Sequence, residues 1–233
     1  MATQTEPASE PRIPLNRDRV LRAAIEVADE EGLEALTMRN LAQHLGVEAM
    51  SIYYHVANKE TLLDGVVDVL VEEIEEAVSN LDGSDGSSGW KSAMRERILK
   101  AREVMLRHPW APDLVETRTT MSPSIIRYHD GLLGILRAGD FSWDLAHHAL
   151  HALGSRSLGF TQELFKPESD ADEEEAEEML AAMADQFPNI IEMLGEIVAH
   201  GDPDSTLGWC DDQTEFEFGL DILLDGLDRL NST

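Results

Sequence analysis

Apolar residues along this chain recur at intervals of three and four, and no stretch alternates with period two for long, so helices are expected and strands are not. Val20, Leu21, Ala24, Ile25 and Ala28 follow Asn16, a candidate N-cap, and the pattern stops at Gly32. Thr37 stands where it would cap a short second helix, Met38–Leu45, ended by Gly46, which can take a left-handed turn without a Cβ clash. Residues 48–55 predict a third short helix. Asn58, Lys59 and Glu60 then open a long fourth one carrying Leu62, Leu63, Val66, Val67, Leu70 and Ile74. Beyond residue 89 the periodicity predicts helices at 90–107, 111–118, 123–138, 143–165, 172–185, 188–199 and 212–230, broken at Pro109, Pro123, Gly139, Pro167, Pro188 and Gly201. The chain reads as all-α.

The second and third helices carry a particular constraint. Two short helices joined by a glycine turn hold a fixed angle only if small and aliphatic side chains pack between them. Leu41, Leu45, Val47, Ile52 and Val56 fall on the inward positions, with Ala42 at the close approach and Gly46 in the turn. Ala49, Met50, Ser51, Tyr53, Tyr54 and His55 are left facing outward, with Tyr53 expected to pack partly into the core as well. Such a helix can enter a major groove, reading base edges with its tips and gripping phosphates with hydroxyls and cations.

Composition divides the chain. The segment 81–89, LDGSDGSSG, reads as a flexible linker, and 1–14, rich in Pro, Glu, Thr and Ser, as a disordered arm without the features of a secretory signal. The expected organisation is therefore an arm at 1–14, a DNA-binding domain at 15–60, a connecting helix at 61–80, the linker, and a helical domain at 90–233. One cysteine, Cys210, excludes an internal disulfide, and the apolar runs fall short of a membrane span, so a cytoplasmic protein is expected. The net charge of −28 opposes nucleic-acid binding at first sight. Its distribution reverses that argument: Arg12, Arg17, Arg19 and Arg22 stand near Asp18 alone, whereas 61–233 holds 36 acids and 12 bases. An acidic remainder repels the duplex everywhere but at one small basic face.

The run LTMRNLAQHLGVEAMSIYYHVANKETLLDGV resembles the DNA-binding domain of the tetracycline-repressor (TetR) family, across residues 15 to 70. The resemblance implies operator contacts by Thr37, Arg39, Ala49, Met50, Ser51, Tyr53, Tyr54, His55 and Lys59, with Arg39, Ala49 and Met50 nearest the bases. Ala49 and Met50 cannot form bidentate hydrogen bonds to a base, so reading there would rest on apolar contacts such as thymine methyls. The segments HPWAPDLVETR at 108–118, GDFS at 139–142 and FEFGLDILLDGL at 216–227 are similar to the family's helical ligand-binding and dimerisation domain. The implied architecture is a three-helix helix-turn-helix domain joined by a long fourth helix to that second domain.

By the same resemblance, helices 143–165 and 212–230 would form a homodimer interface using Leu150, Leu153, Gly154, Ser157 and Leu158 with Phe216, Leu220, Leu223, Leu224 and Leu227, the alternative for that second stripe being an intramolecular core. A ligand pocket would use Met94, Ile98, Met105, Trp110, Leu114, Ile126 and Phe160, each also suited to ordinary core. No histidine stands in 114–118, and Glu75 occupies the place where the resemblance aligns a ligand-binding histidine, so tetracycline is not implied. His147, His148 and His151 share a helix but lack a completing carboxylate pattern, and no metal or cofactor is expected. The acids of 168–178 read as a solvated helix start, and the bases Lys91, Arg95, Arg97, Lys100, Arg102 and Arg107 as partners for nearby acids. The expected function is a homodimeric repressor released from operator DNA by a small molecule. The alternatives are a DNA-binding regulator without an inducer and, more remotely, an all-helical metal-dependent enzyme, for which no nucleophile or acid–base pair is evident.

Overall fold

The computed structural model describes residues 14–79, 89–118, 121–159, 186–192 and 212–233, and all regular structure among them is helical. In chain order the helices are α1 (Arg17–Glu31), a 3₁₀ turn (Leu33–Ala35), α2 (Met38–Leu45), α3 (Ala49–Tyr53), α4 (Lys59–Ser79), α5 (Trp90–Arg107), α6 (Ala111–Thr117), α7 (Pro123–Ala138), α8 (Trp143–Gly159) and α9 (Asp212–Asn231). The predicted ends of α5 and α7 coincide with these bounds. The third helix is shorter than the expected 48–55: Glu48 is its N-cap, and Tyr54 ends it.

Caps set these boundaries. The Asn16 side chain accepts the Arg19 N–H at 2.8 Å, Thr37 Oγ1 accepts the Asn40 N–H at 3.1 Å, and Asn58 Oδ1 accepts the Thr61 N–H at 2.8 Å. Each satisfies an N–H that the first helical turn leaves without a partner. Gly46, at φ 65° and ψ 36°, closes α2 in the left-handed conformation.

The chain packs as two compact units, Met1–Leu150 and His151–Thr233. Within the first, one continuous core joins Val20, Leu21, Ala24 and Val27 of α1, Leu41 of α2 and Ile52 of α3 to Leu62, Val66, Val67, Leu70 and Ile74 of α4, and then to Ala101, Val104, Met105, Ala111 and Leu114 of α5 and α6. Described residues on both sides of 80–88 thus contribute to one interior. The region implied as DNA-binding and the helices after it are filled by the same apolar interior.

Polar contacts reinforce the join. Asp29 of α1 accepts from His108 Nδ1 and from Trp110 Nε1, both at 2.8 Å, at the corner between α5 and α6. Arg107 donates to Glu73 of α4 at 3.1 Å. Arg118, at the end of α6, donates to Glu60 at 2.8 Å and lies 3.5 Å from Asp64, and Ser122 bonds to Asp68. Glu60, Asp64 and Asp68 are four apart and so line one face of α4.

In the second unit α9 buries Phe216, Leu220, Leu224 and Leu227 within the single chain. Four members of the stripe expected at a dimer interface are thus taken up intramolecularly, and Leu223 is half-buried. The apolar residues that α9 leaves in solvent are Phe218, Ile222 and Leu230, at 63, 53 and 63 % exposure. The acids of 168–178 and Cys210 lie outside the described residues, as do 1–13 of the arm and 80–88 around the linker.

The turn after α7 has a close fit. A Cβ on Gly139 would stand 2.5 Å from Trp90 Cγ and 2.7 Å from its Cβ. The indole is held edge-on against the buried Phe141, ring centroids 4.6 Å apart, and has little room to yield. Gly139→Ala is expected to destabilise the protein by about 1–3 kcal/mol, the usual cost of overpacking. Urea unfolding checks this; an unchanged midpoint would show that Trp90 is not seated as described.

Candidate nucleic-acid interface

The geometry of α2 and α3 follows from what they bury. Leu41, Ala42, Ile52 and Val56 are buried, and Leu45 and Val47 pack half-buried against the same core. Asn40 ties α2 to its neighbours by donating to Glu31 at 2.9 Å and to the Ala35 carbonyl at 3.2 Å. His44 lies 3.0 Å from Glu26 of α1, fixing the other end. The helix pair is therefore held from three sides, and α3 has a defined orientation despite its five residues.

What α3 turns outward is large and of mixed chemistry. Met50 is 68 % exposed, Tyr54 87 % and Tyr53 42 %. Tyr53 is thus only partly packed, and Ile52, beside it in sequence, fills the buried position instead. Thr37, Arg39 and Lys59 are exposed, and Ala49, Ser51 and His55 are half-buried. Thr37 serves the α2 cap while remaining at the surface, and Lys59 begins α4 directly behind Asn58. Exposed aromatic and thioether side chains on a rigid helix cost water contact and contribute nothing to the core. Hydroxyl tips and cations beside them supply phosphate partners, and apolar tips supply contacts to base methyls.

The basic footprint is narrower than the sequence count suggests. Arg22 pairs with Asp18 at 3.1 Å, and this hydrogen bond, with the charge of Asp18, holds its guanidinium above the ordinary range. Arg12 lies outside the described residues. A groove of about 470 Å³ beside α1 and the end of α2 contains Asp18, Arg19, Arg22, Glu26 and His44, a balanced rather than cationic set.

The residues expected in a ligand pocket separate into three groups. Met94, Ile98, Met105 and Leu114 are buried, with Met105 and Leu114 in the core shared with α1 to α4. Trp110 is half-buried and engaged with Asp29. Ile126 is 52 % exposed, while Phe160 lies outside the described residues.

Sequence reasoning named Glu75 and Arg97 separately, the first at an aligned ligand position and the second as a partner for nearby acids, but not the polar group they form with Tyr128. Arg97 of α5 is only 6 % exposed; it bonds to Glu75 of α4, and its guanidinium carbon lies 5.0 Å from the Tyr128 ring centroid on α7. Burial pushes the Tyr128 phenol above its ordinary range, with Arg97 opposing. The pairing signal was present in the six bases of 91–107 and the seven acids of α4. Burial of one of those bases was not.

Of the α8 residues implied at an interface, Leu153 is buried and Leu150 and Gly154 are half-buried, while the Ser157 and Leu158 side chains lie outside the described residues. His147, His148 and His151 are exposed, and no group of three His, Cys, Asp or Glu side chains is placed to hold a metal ion among the described residues. Nor is any described helix long and apolar enough to cross a membrane.

Comparison with known proteins agrees with this geometry. The family described as bacterial regulatory proteins, tetR family, matches residues 20–66, and the tetracyclin repressor-like C-terminal domain matches 82–230. The chain is 29 % identical to the HTH-type transcriptional repressor DrrR1 of Streptomyces coeruleorubidus, covering 98 % of this chain and 83 % of that one. It is 28 % identical to the class C tetracycline repressor protein of Escherichia coli, over 94 % of this chain and 93 % of that one. Among solved structures it is similar to ActR of Streptomyces coelicolor in complex with actinorhodin, with a TM-score of 0.70 and 26 % identity over 95 % of this chain and all of that one.

Proposed function

The chain belongs to the tetR family of bacterial regulatory proteins, DNA-binding transcriptional repressors, and from that premise we propose that it acts as a homodimer released from its operator by a small molecule. The observation that carries the reading is the contrast within α3: a buried Ile52 fixes the helix while Met50, Tyr53 and Tyr54 stand in solvent. In this reading Thr37, Ser51, Tyr53, Tyr54, His55 and Lys59 grip phosphates, and Arg39, Ala49 and Met50 approach base edges. Two copies of α3 enter successive major grooves about 34–36 Å apart.

The second copy is proposed to bind through the outward face of α9. Phe218, Ile222 and Leu230 recur at multiples of four, with Gly226 between them, and form an apolar strip that permits close helix approach. Ligand control is supported by the ActR complex with actinorhodin, a likeness that covers 95 % of this chain. A ligand that binds the two operator-spacing states unequally shifts their balance, and operator DNA reciprocally weakens the ligand. The continuous core through α4 gives such a shift a physical carrier.

Tyr54→Ala and Lys59→Ala are each expected to weaken binding to DNA enriched by the wild-type protein from a random pool. Lys59→Ala should also lower the salt-dependence slope by about 1. Both changes remove exposed side chains, so stability should move by no more than about 0.5 kcal/mol. Fluorescence anisotropy with parallel melting curves checks this, and full affinity in both variants contradicts the assignment. For the dimer, sedimentation at micromolar concentration should find two chains in the wild type and one in the double variant Phe218→Glu, Ile222→Glu. A monomeric wild type, or a dimer that survives both substitutions, refutes the α9 face.

A further inference from the structure

Arg97 is an unusual cation to find where it lies. Taking a guanidinium out of water is costly unless its donors and its charge are matched. Here the match is partial: Glu75 accepts from one terminal nitrogen and the Tyr128 ring faces the guanidinium carbon, yet Nε is buried with no hydrogen-bond partner. The partner carboxylate is less enclosed than the cation, since the Glu75 side chain is 36 % exposed and that of Arg97 7 %. Glu75 can therefore turn to water at little cost, whereas Arg97 must keep an anion.

The surroundings also limit the anion's form. Met94, Ile98 and Ala101 are buried on the same helix as Arg97, so the surroundings of the charge are apolar. On α7, a Cβ at Gly131 would stand only 3.3 Å from a terminal nitrogen of Arg97. Glycine at that position lets α7 lie close against the guanidinium without crowding it.

We propose that Arg97 anchors an organic carboxylate with an apolar body, which displaces Glu75 and takes over its bond and the vacant Nε donor. A planar carboxylate matches two adjacent guanidinium donors, so the exchange replaces a single contact with a paired one. Because Glu75 is part of α4, its release removes a tie between α4 and α5. This assigns a chemical class to the ligand and rests on the ligand-controlled reading above.

The test uses the full chain carrying Glu75→Ala or Glu75→Gln, with sodium benzoate as probe against equal sodium chloride, and melting temperature as readout. Both variants should melt below the wild type in chloride. Benzoate should raise the melting temperature of either along a saturating curve, by about 5 °C when the site is full. Benzamide, uncharged but of the same shape, should do nothing, and so should benzoate on chains that also carry Arg97→Gln. Equal shifts with benzamide, a benzoate shift that persists without Arg97, or no shift in either Glu75 variant overturns the site. Should Glu75→Ala fail to fold in chloride, Glu75→Gln supports the same comparison. Anisotropy on the same samples separates the two claims: benzoate that restores stability without changing DNA affinity keeps the anion site and removes ligand-controlled release.

Discussion

Helix α4 is buried from both sides, and the organisation of the first unit depends on that. Leu62, Val66, Val67 and Leu70 meet the interior formed by α1 to α3, and the same core continues through Ala101, Val104, Met105 and Leu114. Burying one Leu or Val side chain stabilises by about 1.5–3 kcal/mol, so this set outweighs any single polar contact along the helix. Close-packed interiors do not deform smoothly; they favour discrete arrangements. A tilt of α4 must therefore be accompanied by a matching movement of α1 and of α5 and α6.

The charged residues refine what the apolar core imposes. Glu60, Asp64 and Asp68 on one face of α4 are met by Arg118 and Ser122, Glu73 by Arg107, and Glu75 by Arg97. Apart from the one made by buried Arg97, these pairs reach the surface and contribute about 0–1 kcal/mol each, so their role is to fix register rather than to hold the unit together. Asp29, bonded by both His108 and Trp110, does the same between α1 and the α5–α6 corner. A net charge of −28 is thus compatible with DNA binding: many acids of α4 face bases of the same chain, and the rest leave the outward side of α3 as the surface that a polyanion can approach.

Much of the helical layout was legible because its signals are local. Asn16, Thr37 and Gly46 act through hydrogen bonds and backbone angles that depend on a few neighbours, and each is found at its predicted boundary. The inward set Leu41, Ile52 and Val56 was legible for the same reason. Pairwise tertiary choices were not. Period alone cannot say whether Phe216, Leu220 and Leu224 meet the same chain or another; they are buried within the single chain, and the interface is proposed at Phe218 and Ile222. Likewise nothing local distinguishes Arg97, which is buried, from Lys100 three residues on, which pairs with Glu103 along its own helix.

Continuity of the core through α4 couples the helices on its two sides. Hydrogen exchange followed by mass spectrometry across a urea series measures it directly. Amides of α1, α2 and α4 should lose protection at the same urea concentration as those of α5 and α6, because one interior supports all of them. Loss of protection in α1 to α3 at clearly lower urea, with α5 and α6 still protected, would show two independent cores and contradict the account.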